Sequence, residues 1–300
     1  MLNHGYINQI YVDSLLALGT PRQLHGSGAW LLERPVGRHG ATDAVASYPL
    51  MVCHDWAALE DDLARVKGLV SFAAVTDPFG DYSREQLQQC FPDVLTPYKK
   101  HFVTDLDLPL DRTVSAHHRR NVRFALAHVE IELVQRPQDF AADWVKLYAN
   151  LTHRHHITGM SAFSEQTLVS QLDVPGLTVF RAVANGETVG MLLWVVSRNV
   201  AYYHLAAYSD EGYRRRASFG LFWKAAQHFQ QHGLRWLCLG AGPGVAEPEH
   251  SGLVRFKSGW STGTRWAYFG GRIFDRPAYE ALSANVSASA GFFPAYRSYV

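Results

Sequence analysis

The stretches AYYHLAAYSDEGYRRRASFGLFWKAAQHFQQHGLRWLCLGAGPG, residues 201–244, and HSGLVRFKSGW, residues 250–260, decide the fold. Aromatic and small apolar residues over 201–208 predict a strand, 217–232 has the apolar spacing of a helix, and RWLCLG predicts a further strand. Arg214, Arg215 and Arg216 stand between the first strand and that helix, and Ser218 and Gly220 lie in its opening turn. A helix start presents unpaired N–H groups and the positive end of a dipole, so guanidinium groups beside it outline an anion site of phosphate type. The glycine loop 240–244 contains Pro243 and is followed by Glu247-Pro248 rather than opening a helix, which argues against dinucleotide binding.

Working outward, LTVFRAVA, ETVGMLLWVVS and NVAYYHLAAY read as a three-strand meander whose first turn is Asn185-Gly186, a strong hairpin signal. Two helices precede it. One runs from about Pro137 to Thr152, with Phe140, Trp144, Leu147, Tyr148 and Leu151 at helical spacing, and one from about Glu165 to Leu172. SAHHRRNVRFALAHV predicts another helix capped by Ser115, VEIELVQ a strand, and strands are expected again near 265–274. In the first hundred residues AWLLERP and SYPLMVC read as short strands, DWAALEDDLARV as a helix capped by Asp55, LVSFAAVTDPF as a buried strand and REQLQQCF as a helix. The Leu-Pro-Leu-Asp-Arg run at 108–112 suggests a boundary between domains at 1–112 and 113–300.

Composition fits this division. A chain of 300 residues with 47% hydrophobic and 18% charged residues can bury a large core in two α/β subdomains. There is no basic start followed by an apolar run and no apolar stretch near ~18 residues, so a soluble, cytoplasmic protein without a membrane span is expected. Cys53, Cys90 and Cys238 are odd in number and form no C-x-x-C pair, which suits buried thiols in a reducing compartment. A formal charge of +1 gives no global case for nucleic acid and none for DNA, although basic clusters at 117–123 and 213–216 keep an anionic partner in play. The histidines at 117–118 and 153–156 lack the H-E-x-x-H pattern, so no metal is expected, and the second group suits the C-terminal end of a helix.

Two helices, a meander, a helix and a strand, together with HRRNVRFAL, G-x-x-V-G-M and FKSGW, resemble the GNAT acyltransferase superfamily over about 113–275. FKSGW is similar to the FK-x-G-[FW] signature of its Fem-type branch. The resemblance implies an α/β (α+β) GNAT-like fold with a mixed, mostly antiparallel sheet flanked by helices, preceded by a smaller degenerate GNAT-like half. It implies an N-acyltransferase or aminoacyltransferase with no tightly bound cofactor, using acyl-coenzyme A or aminoacyl-tRNA as co-substrate and a small-molecule amine as acceptor. Arg214, Arg215, Arg216, Ser218 and Gly220 would then hold the donor phosphates. Lys257 would stabilise charge on the donor carbonyl or phosphate. The loop containing Met160 and Phe163 would line the acceptor pocket, and Arg119, Arg120 and Arg123 would contact substrate.

An attacking ammonium must lose a proton, which makes His204 the candidate base and Glu249 its competitor, while Tyr202 offers a proton to the leaving group. Period two puts Tyr202, His204, Ala206 and Tyr208 on one side of their strand. No G-x-S-x-G elbow is present and Cys238 has no base identifiable from sequence, so direct attack is expected rather than a covalent enzyme. A catalytically idle GNAT-like module binding a phosphorylated ligand or RNA, and a structural subunit of a biosynthetic complex, are the other readings.

Overall fold

Asn185 and Gly186 turn with φ of 53° and 81° and join two antiparallel strands, as the dipeptide predicts. The computed structural model describes residues 4–37, 40–159, 162–242, 251–284 and 292–298. In chain order the elements begin with α1 (Gln9–Asp13), β1 (Thr20–Gln23), β2 (Trp30–Val36), β3 (Ala41–Ala46), α2 (Leu59–Ala64), β4 (Ser71–Val75) and α3 (Arg84–Cys90). Next come β5 (Val94–Asp105), α4 (Leu110–Thr113), α5 (Ala116–Leu126), β6 (Glu130–Val134), α6 (Ala141–His155), α7 (Glu165–Gln171), β7 (Leu177–Ala184), β8 (Glu187–Ser197) and β9 (Val200–Tyr208). The last are α8 (Asp210–Arg214), α9 (Ala217–Gln231), β10 (Trp236–Gly240), α10 (Gly252–Ser258), β11 (Gly263–Ile273) and α11 (Arg276–Ser283).

The chain forms two units, Met1–Ile10 with Lys100–Arg265, and Tyr11–Lys99 with Trp266–Val300. This division falls at 99/100 where the sequence suggested 112/113, and it returns the C-terminal segment to the earlier block. The physical reason is the antiparallel pairing of β11 with β4, Phe269 opposite Val75, a long-range contact that no local signal announces.

In the first unit the strand order is β5-β10-β9-β8-β7-β6, antiparallel except for β9 and β10, which run parallel and are joined by the α9 crossover. One face carries Trp194, Leu221, Phe222, Ala225 and Phe229 in a core with α5 and α9, and the other carries Trp144, Leu147, Tyr148 and Met191 with α6 and α7. α9 docks because its apolar residues 217, 221, 222, 225, 226 and 229 form one stripe. Gly220 adds to this, since a Cβ there would sit 3.4 Å from Ala125 Cβ of α5. The second unit has the order β1-β2-β3-β4-β11, parallel only at β3 and β4, over a core that includes Phe72 and Phe91.

Two local expectations change. SYPLMVC forms only an isolated bridge between Met51 and Thr76, and the strand is β3 instead, because Pro49 has no N–H for a ladder. Asp55 accepts from the Ala57 N–H at 2.8 Å and so closes a turn, while α2 begins at Leu59 without a side-chain cap. Ser115 does cap α5, accepting from the His118 N–H at 3.2 Å.

Candidate functional site

β8 and β9 pair residue for residue from Gly190↔Tyr208 to Leu193↔Leu205 and resume at Trp194↔Tyr203. His204 is the extra residue of a bulge, and a bulge inverts the alternation of faces. Tyr203, Ala206 and Tyr208 therefore join the core beneath α9, while Leu205 and Ala207 join the one beneath α6 and α7. The expected common side for Tyr202, His204, Ala206 and Tyr208 is thus corrected. Tyr202 and His204 point to the α6–α7 face, where the Tyr202 ring lies 4.7 Å from that of His4.

His204 is held on both sides. Its Nε2 lies 3.0 Å from Gln171 Oε1 on α7 and its Nδ1 lies 3.3 Å from the Tyr6 hydroxyl. An amide oxygen only accepts, so Nε2 carries the proton and Nδ1 accepts from Tyr6. The residue is half-buried, and the desolvation of its ring pushes its pKa down to about 3. A ring so depressed, with both nitrogens engaged, is a poor match for the free base expected from the sequence.

Parallel pairing of β9 with β10 ends at Tyr202↔Cys238, and β9 runs on beyond it. Lys257 of α10 lies at this parting. Its Nζ donates to the Ala241 carbonyl at 2.5 Å and stands 5.5 Å from the centre of the Tyr203 ring, and the residue is only 5% exposed. Gly240, at φ 72°, leaves room for it, since a Cβ there would lie 3.3 Å from Nζ. Burial also raises the Tyr203 phenol well above its ordinary pKa, so it stays neutral.

The rest of FKSGW packs away from this gap. Phe256 and Trp260 form an aromatic cluster with Phe219, Phe222 and His118. His118 Nδ1 is 2.9 Å from Ser115 Oγ, and its Nε2 donates to the Phe256 carbonyl at 2.9 Å, with burial lowering its pKa. A cleft of about 710 Å³ opens here between α5, α9 and α10, with His117, Phe219 and Arg255 in its lining.

The three arginines do not converge. α8, which the sequence reading did not anticipate, ends at Arg214, and both Arg214 and Arg215 bind Glu211. Cations at that C-terminal end suit the dipole. Arg215 also donates to the His128 carbonyl at 2.9 Å. Arg216 takes a left-handed conformation, φ 56° and ψ 35°, as the N-cap of α9, with its guanidinium 2.6 Å from Asn121 Oδ1 and 4.5 Å from the centre of the Phe124 ring. Ser218 lies in the first turn, whereas Gly220 is buried against α5 and serves packing.

Arg119 donates to the carbonyls of Asp111 and Val114 at 2.5 and 2.7 Å, bracing the junction of α4 and α5. Arg120 is exposed beside His117, 3.3 Å from its Nδ1, and Arg123 is exposed on α5. Phe163 packs 6.1 Å from the Tyr148 ring on the same face as His204. Met160 and Glu249 lie outside the described residues. Tyr6 and Gln171 were missed because nothing local marks them, Tyr6 being 198 positions from its partner. Among the described residues no group of histidine, cysteine or acidic side chains is placed to hold a metal, and no helix is long and apolar enough to cross a membrane.

Residues 112–251 match the family described as the acetyltransferase (GNAT) domain. Sequence comparison with curated proteins gives no match. Among solved structures the fold is similar to that of FemX, with a TM-score of 0.66 at 15% identity, over 91% of this chain and 93% of that one. It is also similar to the C-terminal domain of a putative lysylphosphatidylglycerol synthetase from Agrobacterium fabrum, with a TM-score of 0.59 at 17% identity, over 94% and 93% of the two chains. Residues 112–251 therefore carry a GNAT-type acetyltransferase domain, and the chain as a whole has a fold similar to that of FemX.

Proposed function

We propose that this chain moves an acyl or aminoacyl group from a phosphate-bearing donor, an acyl-coenzyme A or an aminoacyl-tRNA, to a small-molecule amine by direct attack. The observation that carries the reading is the Lys257 ammonium at the parting of β9 and β10. The neighbouring Phe256 ring lies 5.2 Å from Phe219 in the first turn of α9. A donor carbonyl in the gap then meets Lys257, while its phosphates meet the α9 N-terminus, Arg216 and the cleft bearing Arg255. The amine approaches from the face of Phe163, Tyr202 and His204. Its nitrogen bonds to the carbonyl carbon, the oxygen takes up charge beside Lys257, and collapse expels the thiolate of coenzyme A or the ribose oxygen of tRNA. His204 takes part as a neutral hydrogen-bonding group and the amine's proton passes to solvent.

The GNAT match favours an acyl-coenzyme A donor, and the fold shared with a lysylphosphatidylglycerol synthetase domain favours an aminoacyl one. Thermal shift with each donor distinguishes them, because a ligand at ~100 times its Kd adds ~2.7 kcal/mol. Mass spectrometry of an amine panel then reads transfer. A second reading, favoured by the engagement of both His204 nitrogens, is an idle module that binds a phosphorylated ligand, which yields a thermal shift without product.

A further inference from the structure

The turn Gly5–Ile7 is buried within the first unit. Gly5 permits this, since a Cβ there would fall 2.7 Å from Val195 Cγ1 on β8 and 3.2 Å from Val174 Cγ1. His4 Nδ1 accepts from the Tyr6 N–H at 3.2 Å and fixes the turn from within. Tyr6, 1% exposed, reaches the bulge, and Gln171, also 1% exposed, reaches the same ring from α7.

We propose that Tyr6 and Gln171 are positioning residues of the transferase: they hold the bulged His204 in one neutral tautomer, Nε2–H toward Gln171 and Nδ1 taking the Tyr6 proton, and so make the N-terminal turn part of the catalytic half. The proposal rests on reading the His204 face as the acceptor side. A bulge frees His204 from the strand ladder, so its ring is fixed by side chains. Turning the ring over would set carbon atoms against both partners and forfeit both bonds. The titratable groups facing it include Tyr6 and, beyond that ring, His4 and Tyr202; Gln171 carries no charge. Burial is the cause of its depressed pKa, which leaves a neutral ring whose donor and acceptor ends are assigned.

The test uses the full chain with Tyr6→Phe and Gln171→Glu, read by ¹⁵N–¹H spectra of the histidine rings and by kcat and KM as functions of pH. In the unaltered protein His204 shows a single Nε2–H tautomer with no titration between about pH 5 and 8. Tyr6→Phe stays folded, loses the single tautomer and lowers kcat roughly five- to tenfold at unchanged donor KM. Gln171→Glu sets a carboxylate against Nε2–H, raises the His204 pKa and adds an acidic limb to kcat. Tyr6→Phe with an unaltered tautomer and unaltered kcat overturns the proposal. Inactivity of the unaltered protein with both donors overturns the transferase reading and the positioning role with it, while the spectra still decide whether the tautomer is locked.

Discussion

Gly259 and His118 compete for one volume: a Cβ on Gly259 would fall 2.1 Å from the Cε1 of His118, whose ring is pinned by Ser115 and by the Phe256 carbonyl. The glycine of FKSGW is therefore required by packing against α5. Gly259→Ala should destabilise by about 1–3 kcal/mol, the usual cost of overpacking. Gly252→Ala, where an added Cβ meets nothing within 4 Å, should be nearly neutral in the same urea melts. Equal losses in both would remove the packing argument.

Stability should fall with acid because of buried histidines. The His204 pKa near 3 in the folded chain lies below the ~6.5 of an unfolded histidine, so the unfolded chain binds a proton that the folded one refuses. This contribution is intact above about pH 6.5 and declines toward pH 3, reaching about 2 kcal/mol of lost stability at about pH 5. His118, also lowered by burial, acts in the same direction. His204→Gln should flatten the change in urea midpoint between neutral pH and about pH 5; a slope as steep as in the unaltered protein would mean that His204 titrates normally.

Arg216 and Arg214 should separate in donor binding. Arg216 sits at the start of α9, while Arg214 is bound to Glu211 with its side chain 73% exposed. Arg216→Ala should weaken donor binding several-fold and make its salt dependence shallower, whereas Arg214→Ala should stay within about twofold. The reverse order, measured by titration at two salt concentrations, would place the phosphates elsewhere.

Lys257→Met keeps a buried stem and removes the charge. It should lower kcat by ~10²-fold or more if the ammonium faces the developing oxyanion. Full turnover with a proven substrate would assign Lys257 to bracing Ala241 alone.

Much of this fold is legible in the sequence because its signals are local. Asn185-Gly186, the Ser115 cap and the apolar stripe of α9 each specify an element within a few residues. The site is less legible. Parity along 201–208 misassigns Ala206 and Tyr208 because the bulge at His204 is set by pairing with β8. The arginine run suggests one anion site, yet the left-handed Arg216 splits it into the end of one helix and the start of the next. Lys257 stood out through its motif, but the motif conceals that its Phe, Gly and Trp serve packing while its Lys alone enters the gap.

The most direct measurement is a crystal structure with an acyl-coenzyme A and, separately, an aminoacylated analogue of a tRNA 3′ end. Acyl transfer through the β9–β10 gap predicts that one of them places its carbonyl oxygen within hydrogen-bond reach of Lys257 Nζ, between Tyr203 and Ala241, with its phosphates at the start of α9. A donor bound elsewhere, with Lys257 still donating to Ala241, would contradict it.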